Sequence, residues 1–208
     1  MAREQRGNLN PRLFTPTLMI VLTEAALLTR QKGQQLLTPE TILLALIRDP
    51  QGQVGRIMTD FSKERGFDLA NLEREVERLA RTHAGRDARL DLVDDHGGKT
   101  PLSDEAVIVL DEGLTIAHAM DEFQVAPEHA LAAMSQKGVS TAGVLQRHGV
   151  TPSAMSQVLQ STSVERETTT RDLVALAREG VLTPLYYRES LLRELINTLS
   201  LAKDRHTN

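Results

Sequence analysis

The run Gly97-Gly98-Lys99-Thr100 has the residue types of a phosphate loop, in which glycine amides and a lysine hold the phosphates of a nucleotide. The spacing does not suit that chemistry. The position five residues before Gly98, which the loop fills with glycine, is Val93, and Pro101 interrupts the amides where a helix would have to begin. The histidines are His83, His96, His118, His129, His148 and His206, and no two stand at the i, i+4 spacing that would put both imidazoles on one helix face. Asp94-Asp95-His96 lacks a rigid frame, and His118 with Asp121 or Glu122 makes only one helical pair, so each histidine is expected on a solvated surface. No set of Ser, His and Asp assembles from spacing. With no cysteine in the chain, neither a thiolate zinc site nor a cysteine nucleophile exists. The sequence therefore supports no catalytic residue, no metal and no cofactor.

Glu40 and Glu128 are more informative, because each stands in the first turn of a short apolar segment that occurs twice. A carboxylate there complements the helix dipole, worth about 0.3–1 kcal/mol. Placed beside unpaired helix-start amides, it would also suit a ligand with a guanidinium at one end and a phosphate at the other. Both readings stand on the residues alone.

The elements that must position these groups are helices. Thr15-Pro16, Thr38-Pro39, Thr151-Pro152 and Thr183-Pro184 place a capping oxygen before a proline that loses no helix bond at the first position. Gly33, Gly66, Gly85, Gly138, Gly149 and Gly180 close the segments that follow. Helical stripes run through Leu18, Val21, Leu22, Ala25 and Leu28, through Val54, Ile57, Met58 and Phe61, through Leu69, Leu72, Val76 and Leu79, and through Ala106, Val109, Leu110, Gly113 and Leu114. Gly113, matched with Ala25, is expected to permit close helix packing. Strand-like alternation is nearly absent; the best candidate, Arg89 to Val93, is short and stands alone. The pattern predicts an all-α fold.

An internal repeat organises these helices. Thr38-Pro39-Glu40-Thr41-Ile42-Leu43-Leu44-Ala45-Leu46 recurs 88 residues later as Ala126-Pro127-Glu128-His129-Ala130-Leu131-Ala132-Ala133-Met134, and Phe14-Thr15 falls on Leu102-Ser103 at the same offset. Gly66-Phe67 and Leu72 match Gly149-Val150 and Met155 at offset 83, so the first half is about five residues longer near its third helix. Each half reads as four helices, the second nearly all apolar and hence expected at the buried centre. The boundaries are an N-terminal tail at 1–11, a doubled domain at 12–160 (first repeat 12–82, second 102–160), a linker at 161–170 and a C-terminal segment at 171–208. The connection from Thr82 to Pro101 reads as a solvated loop. In the last segment, Leu191, Leu192, Leu195, Ile196 and Leu199 share a helix face that needs a partner surface.

Composition limits the partners. Lys plus Arg number 24 against 28 Asp plus Glu, a net charge of −4, which gives no electrostatic footprint for nucleic acid. Tryptophan is absent, and 4 Phe with 2 Tyr are too few for base-stacking platforms. Apolar runs reach only about six residues, far short of the roughly 20 that span a membrane, and no signal-peptide layout opens the chain. A cytoplasmic protein is expected, with neither nucleic acid nor membrane as partner.

The paired units beginning Phe14-Thr15, with Thr38-Pro39-Glu40-Thr41-Ile42-Leu43-Leu44-Ala45-Leu46-Ile47-Arg48-Asp49-Pro50 and Ala126-Pro127-Glu128-His129-Ala130-Leu131, resemble the double Clp N-terminal repeat of Clp-type AAA+ unfoldases and disaggregases. Arg171-Asp172-Leu173-Val174-Ala175-Leu176-Ala177-Arg178-Glu179-Gly180-Val181-Leu182-Thr183-Pro184 is similar to the segment that opens the first ATPase module of that family. The resemblance implies two pseudo-symmetric four-helix repeats, with residues 171–208 as the start of a truncated AAA+ module. It implies a non-catalytic domain that recognises unfolded or tagged protein substrates and adaptor proteins and delivers them to a hexameric ATPase ring, the hexamer forming only through modules not present here. In some family members the second-helix glutamates help bind phosphorylated arginine. That role carries to Glu40 and Glu128, with Thr15 and Ser103 at the matched first-helix starts. Two departures accompany the match: Leu185-Tyr186-Tyr187-Arg188 replaces the family's hydrophobic-Gly-Arg turn, and Pro39 and Pro127 replace a small hydroxyl residue, each removing a backbone donor. The alternative is a stand-alone regulatory or structural Clp-repeat protein that docks through its C-terminal apolar helix.

Overall fold

Threonine or serine before the first turn sets the helix starts. Thr15 Oγ1 accepts from the Leu18 amide, Ser103 Oγ from the Ala106 amide and Thr151 Oγ1 from the Ala154 amide. In the computed structural model, which describes residues 6–82, 85–94 and 97–169, the helices are α1 (Pro16–Gln31), α2 (Pro39–Arg48), α3 (Gln53–Arg65), α4 (Leu69–Thr82), α5 (Asp104–Ala119), α6 (Pro127–Met134), α7 (Ala142–Arg147) and α8 (Pro152–Thr169). The chain divides into one unit at Met1–Ser163 and a second at Val164–Asn208, of which only the end of α8 is described. The expected linker at 161–170 is helical as far as Thr169. Thr183-Pro184 and the apolar face from Leu191 to Leu199 lie outside the described residues.

The repeat is real in three dimensions. α1 and α5 each span 16 residues, and their starts, like those of α2 and α6, lie 88 positions apart. The difference in length falls on the third helix, 13 residues in α3 but 6 in α7. Backbone conformation repeats even where residue type does not. Gly33 closes α1 at φ 68°, and Asp121, its counterpart after α5, has φ 59°, a left-handed conformation that Asp tolerates better than most residues.

The second helices form the centre. Pro39 to Leu46 of α2 and all eight residues of α6 are buried, as expected for helices apolar on every side. Their starts use the side chain of the third helical residue: the Thr38 amide donates to Thr41 Oγ1, and the Ala126 amide to His129 Nδ1, at 3.0 and 3.1 Å. His129 is thus fully buried, and His148 is 8% exposed, whereas His118 is on the surface. Two histidines expected in solvent are packing residues: the His129 ring nitrogen does the work of a threonine hydroxyl at a buried helix start, and the His148 ring packs edge-on against Phe67. At Gly113 an added Cβ would stand 3.0 Å from Val125 Cγ1, so the glycine permits the close approach expected of it.

The two repeats are tied by exchanged backbone bonds. The approach to α1 pairs with the approach to α6, Phe14 beside Val125, and the approach to α2 pairs with the approach to α5, Leu37 beside Leu102. Thr15 N–H donates to Val125 O, Val125 N–H to Leu13 O, Leu37 N–H to Pro101 O and Ser103 N–H to Leu37 O. The lower ends are joined by side chains: Arg147 donates to Glu75 at 2.7 Å, and His148 Nε2 stands 3.4 Å from the same carboxylate.

The connection between repeats departs from the solvated loop expected. It is a hairpin of β2 (Asp87–Val93) and β3 (Lys99–Ser103), with β1 (Gly7–Asn8) added in parallel on the other edge of β2. A bulge with Arg89 at φ 58° breaks the alternation between Asp87 and Asp91, which hides the strand from a periodicity reading. The turn is closed by Asp94, whose carboxylate accepts from the Gly98 amide, so Lys99 and Thr100 enter a strand rather than a helix.

The Glu75 carboxyl is held below the usual range, first by the Arg147 hydrogen bond and against the opposing effect of burial. A depressed native pKa stabilises above the unfolded value and is lost as pH falls through the native one. Glu75→Gln is therefore expected to lower stability at pH 7, and the deficit should begin to shrink as the pH drops below about 4, the ordinary glutamate range, and vanish only below the depressed native value. Urea melts of both proteins across that window measure it; a deficit independent of pH would contradict the assignment.

Candidate functional site

The helix starts that carry the four expected site residues lie in two pairs, each crossing the repeat boundary. Because Phe14 lies beside Val125, the start of α1 with Thr15 sits next to the start of α6 with Glu128. Because Leu37 lies beside Leu102, Ser103 sits next to the start of α2 with Glu40. Sequence matching relates Thr15 to Ser103 and Glu40 to Glu128 by offset but is silent on which hydroxyl faces which helix. Each pair combines two neighbouring helix starts, whose amide ends favour negative charge.

The pairs differ in access. Glu40 and Glu128 are 0% and 1% exposed, Ser103 is fully buried, and Thr15 is half-buried. The segment leading into the hairpin covers the Ser103 start. A Cβ on Gly85 would lie 2.8 Å from Ser103 Cβ, and the Asp104 amide donates to Arg86 O at 2.7 Å. At the Thr15 start the flanking group is Gln124, whose side-chain amide donates to Arg12 O and Phe14 O. Among the described residues, no cluster of three or more His, Asp or Glu is arranged to hold a metal ion.

A second feature escaped the sequence reading. α1 buries Leu18, Val21, Leu22 and Ala25, yet Ile20 and Leu27 on its other side are 64% and 48% exposed. With Pro16, Met19 and Val93 they line an open, mainly apolar groove of about 600 Å³ between α1 and the end of β2, with Glu24, Arg30 and Asp94 also along it. The available signal was the pair of isoleucines off the buried stripe: Ile108 of α5 occupies the position 88 residues after Ile20 and is 60% exposed. Ile108 borders a smaller groove of about 410 Å³ with Glu105, Glu112 and Lys137.

The model of the Clp repeat N-terminal domain family matches residues 13–95, which hold the four helices of the first repeat and all of β2. Over that stretch the chain is similar to the Clp repeat N-terminal domain family. The chaperone protein ClpB of Brucella suis is 29% identical over 92% of this chain, which spans 22% of that relative. The Hsp104 N-terminal domain from Candida albicans superposes with a TM-score of 0.52 at 18% identity, covering 76% of this chain and 93% of that one. The N-terminal domain of the ClpV1 ATPase from the E. coli EAEC Sci1 secretion system gives 0.53 at 16% identity, covering 71% and 83%. At these identities the solved structures bear on the fold alone. The chain spans about a fifth to a quarter of the curated Clp relatives it matches, from 20% to 23% of their length. The Clp repeat N-terminal domain is itself non-catalytic.

The buried Ser103 hydroxyl is a helix cap in this arrangement. Ser103→Ala is expected to lower stability by about 1 kcal/mol, read as a shift in the denaturant midpoint. An unchanged midpoint would deny the hydroxyl its capping role.

Proposed function

We propose that this chain is the substrate-recognition end of a cytoplasmic Clp-type ATP-dependent unfoldase, and that the groove along α1 receives extended apolar segments of unfolded or tagged proteins and of adaptors. The observation that carries this reading is the exposure of Ile20 and Leu27 in an open apolar groove on a domain similar to this family. Exposed isoleucine and leucine side by side cost solubility unless a partner covers them, and burying each in a complex is worth about 1.5–3 kcal/mol. The chaperone relatives support the same role, with residues 171–208 as the opening of an ATPase module that would pull on whatever the domain holds. No described helix is long and apolar enough to cross a membrane.

Under the same reading, Glu40 with Ser103 and Glu128 with Thr15 recognise phosphorylated arginine on tagged substrates. The cover over Ser103 makes the Thr15–Glu128 pair the more accessible one.

Fluorescence anisotropy with a denatured model protein tests the groove: Ile20→Glu with Leu27→Glu should weaken binding at least tenfold, about 1.4 kcal/mol, without moving the melting temperature. Equal binding by both proteins removes the groove from the proposal. For the helix starts, titration with phosphoarginine should give a larger loss for Glu128→Ala than for Glu40→Ala. Indistinguishable affinities in the parent and both variants would end that role.

A further inference from the structure

β2 carries an acidic residue that a central strand would ordinarily avoid. Asp91 is only 4% exposed, and its carboxylate is met by Arg6, whose Nε donates to Asp91 Oδ1 at 2.8 Å. The same guanidinium grips Asp87, with Nη2 donating to Asp87 Oδ1 at 2.8 Å and Nη1 to the other oxygen. Arg6 directly precedes the strand that lies on this edge. Gly7 pairs with Leu90 and Asn8 with Asp91 in parallel register, and the Leu9 amide donates to Asp91 O at 2.8 Å.

Each position of that strand is read by a different physical contact. The arginine satisfies two carboxylates in a forked geometry that lysine cannot reproduce. A Cβ at the glycine would stand 3.0 Å from the Leu90 Cδ1 tip, so a small residue suits this position. Asn8 is exposed and makes only the strand pairing, while Leu9 is partly buried against the hydrophobic core. Backbone bonds provide affinity and alternate side chains provide selection, the arrangement by which sheet edges take up peptides. The paired strand is only two residues long, and both are exposed. Most of its hold on β2 thus comes from Arg6 and Leu9.

We propose that the β2 edge is a strand-addition site for an extended polypeptide segment of the pattern Arg-Gly-x-Leu, and that residues 6–9 of this chain occupy it as a built-in competitor. The site is separate from the α1 groove and does not depend on the function proposed for that groove. Its selectivity has an electrostatic origin. A strand without a cation would leave the Asp91 carboxylate buried and unneutralised, which is costly in a low-dielectric setting. The tethered segment competes at a high effective concentration, about millimolar for a short connection, so a segment from another chain gains the edge only when the tethered one is weakened or outnumbered.

The probe is the acetylated peptide Arg-Glu-Gln-Arg-Gly-Asn-Leu-Asn, identical to residues 3–10, with a control in which its second arginine is glutamate. Anisotropy should show the labelled peptide binding the Arg6→Ala chain at least tenfold more tightly than the parent, with the control peptide and an Arg6→Ala, Asp87→Asn, Asp91→Asn chain showing no binding. The peptide should also raise the melting temperature of Arg6→Ala and leave the parent's almost unchanged. Should Arg6→Ala fail to fold, exchange of the Leu9 amide in the parent gives the answer, since millimolar peptide must speed it by displacing the tethered strand. Binding that ignores the peptide's arginine or the two aspartates, or a Leu9 amide unaffected by peptide, overturns the proposal.

Discussion

Four backbone hydrogen bonds between the approaches to α1 and α6 and the approaches to α2 and α5 hold the two repeats in register. Buried amides and carbonyls must find partners, and at these positions each repeat finds them in the other. Fixing Phe14 beside Val125 and Leu37 beside Leu102 sets four helix starts in two neighbouring pairs. It follows that α2 and α6 lie side by side at the centre, covered on all sides by α1, α3, α4 and α5. The mixed pairs Thr15–Glu128 and Ser103–Glu40 are a further product of the same exchange. A repeat that closed on itself would have paired Thr15 with Glu40 instead.

The hairpin between the repeats breaks this symmetry. Its entry at Gly85 and Arg86 covers one helix-start pair, while Gln124 flanks the other. Its far end, Val93 and Asp94, forms one wall of the α1 groove, where Arg30 reaches across to Asp94 at 3.4 Å. Its outer edge receives the N-terminal strand through Asp87 and Asp91. Much that distinguishes the first half from the second thus comes from one inserted connection and from the shorter third helix, while α1 and α5 keep matched lengths, side-chain caps and even matched left-handed residues.

The helices, their order and the buried second helix of each repeat were legible because apolar spacing and Thr-Pro or Ser starts are local signals. Thr15 and Ser103 act as the caps their positions imply. Three things were not legible. Cross-repeat pairing depends on contacts between residues 65 and 111 positions apart, from Leu37 to Leu102 and from Phe14 to Val125, on which local pattern is silent. The hairpin was masked by Arg89, whose left-handed backbone shifts the register so that Asp87 and Asp91 interrupt the apolar alternation. His129 and His148 read as surface residues because their burial rests on a hydrogen bond from a helix-start amide and on packing beside Phe67 and Glu75, geometry that residue type alone does not encode.

The distance between Phe14 and Val125 along the chain bears on synthesis. A ribosome adds roughly 5–20 residues per second, so the segment before α1 waits several seconds or more for the partner that satisfies its backbone. Until then the first repeat holds four helices with an uncovered central one and strand-like edges exposed at Phe14 and Leu37. A nascent chain of this design would itself be a client for the kind of holding activity proposed for its finished groove.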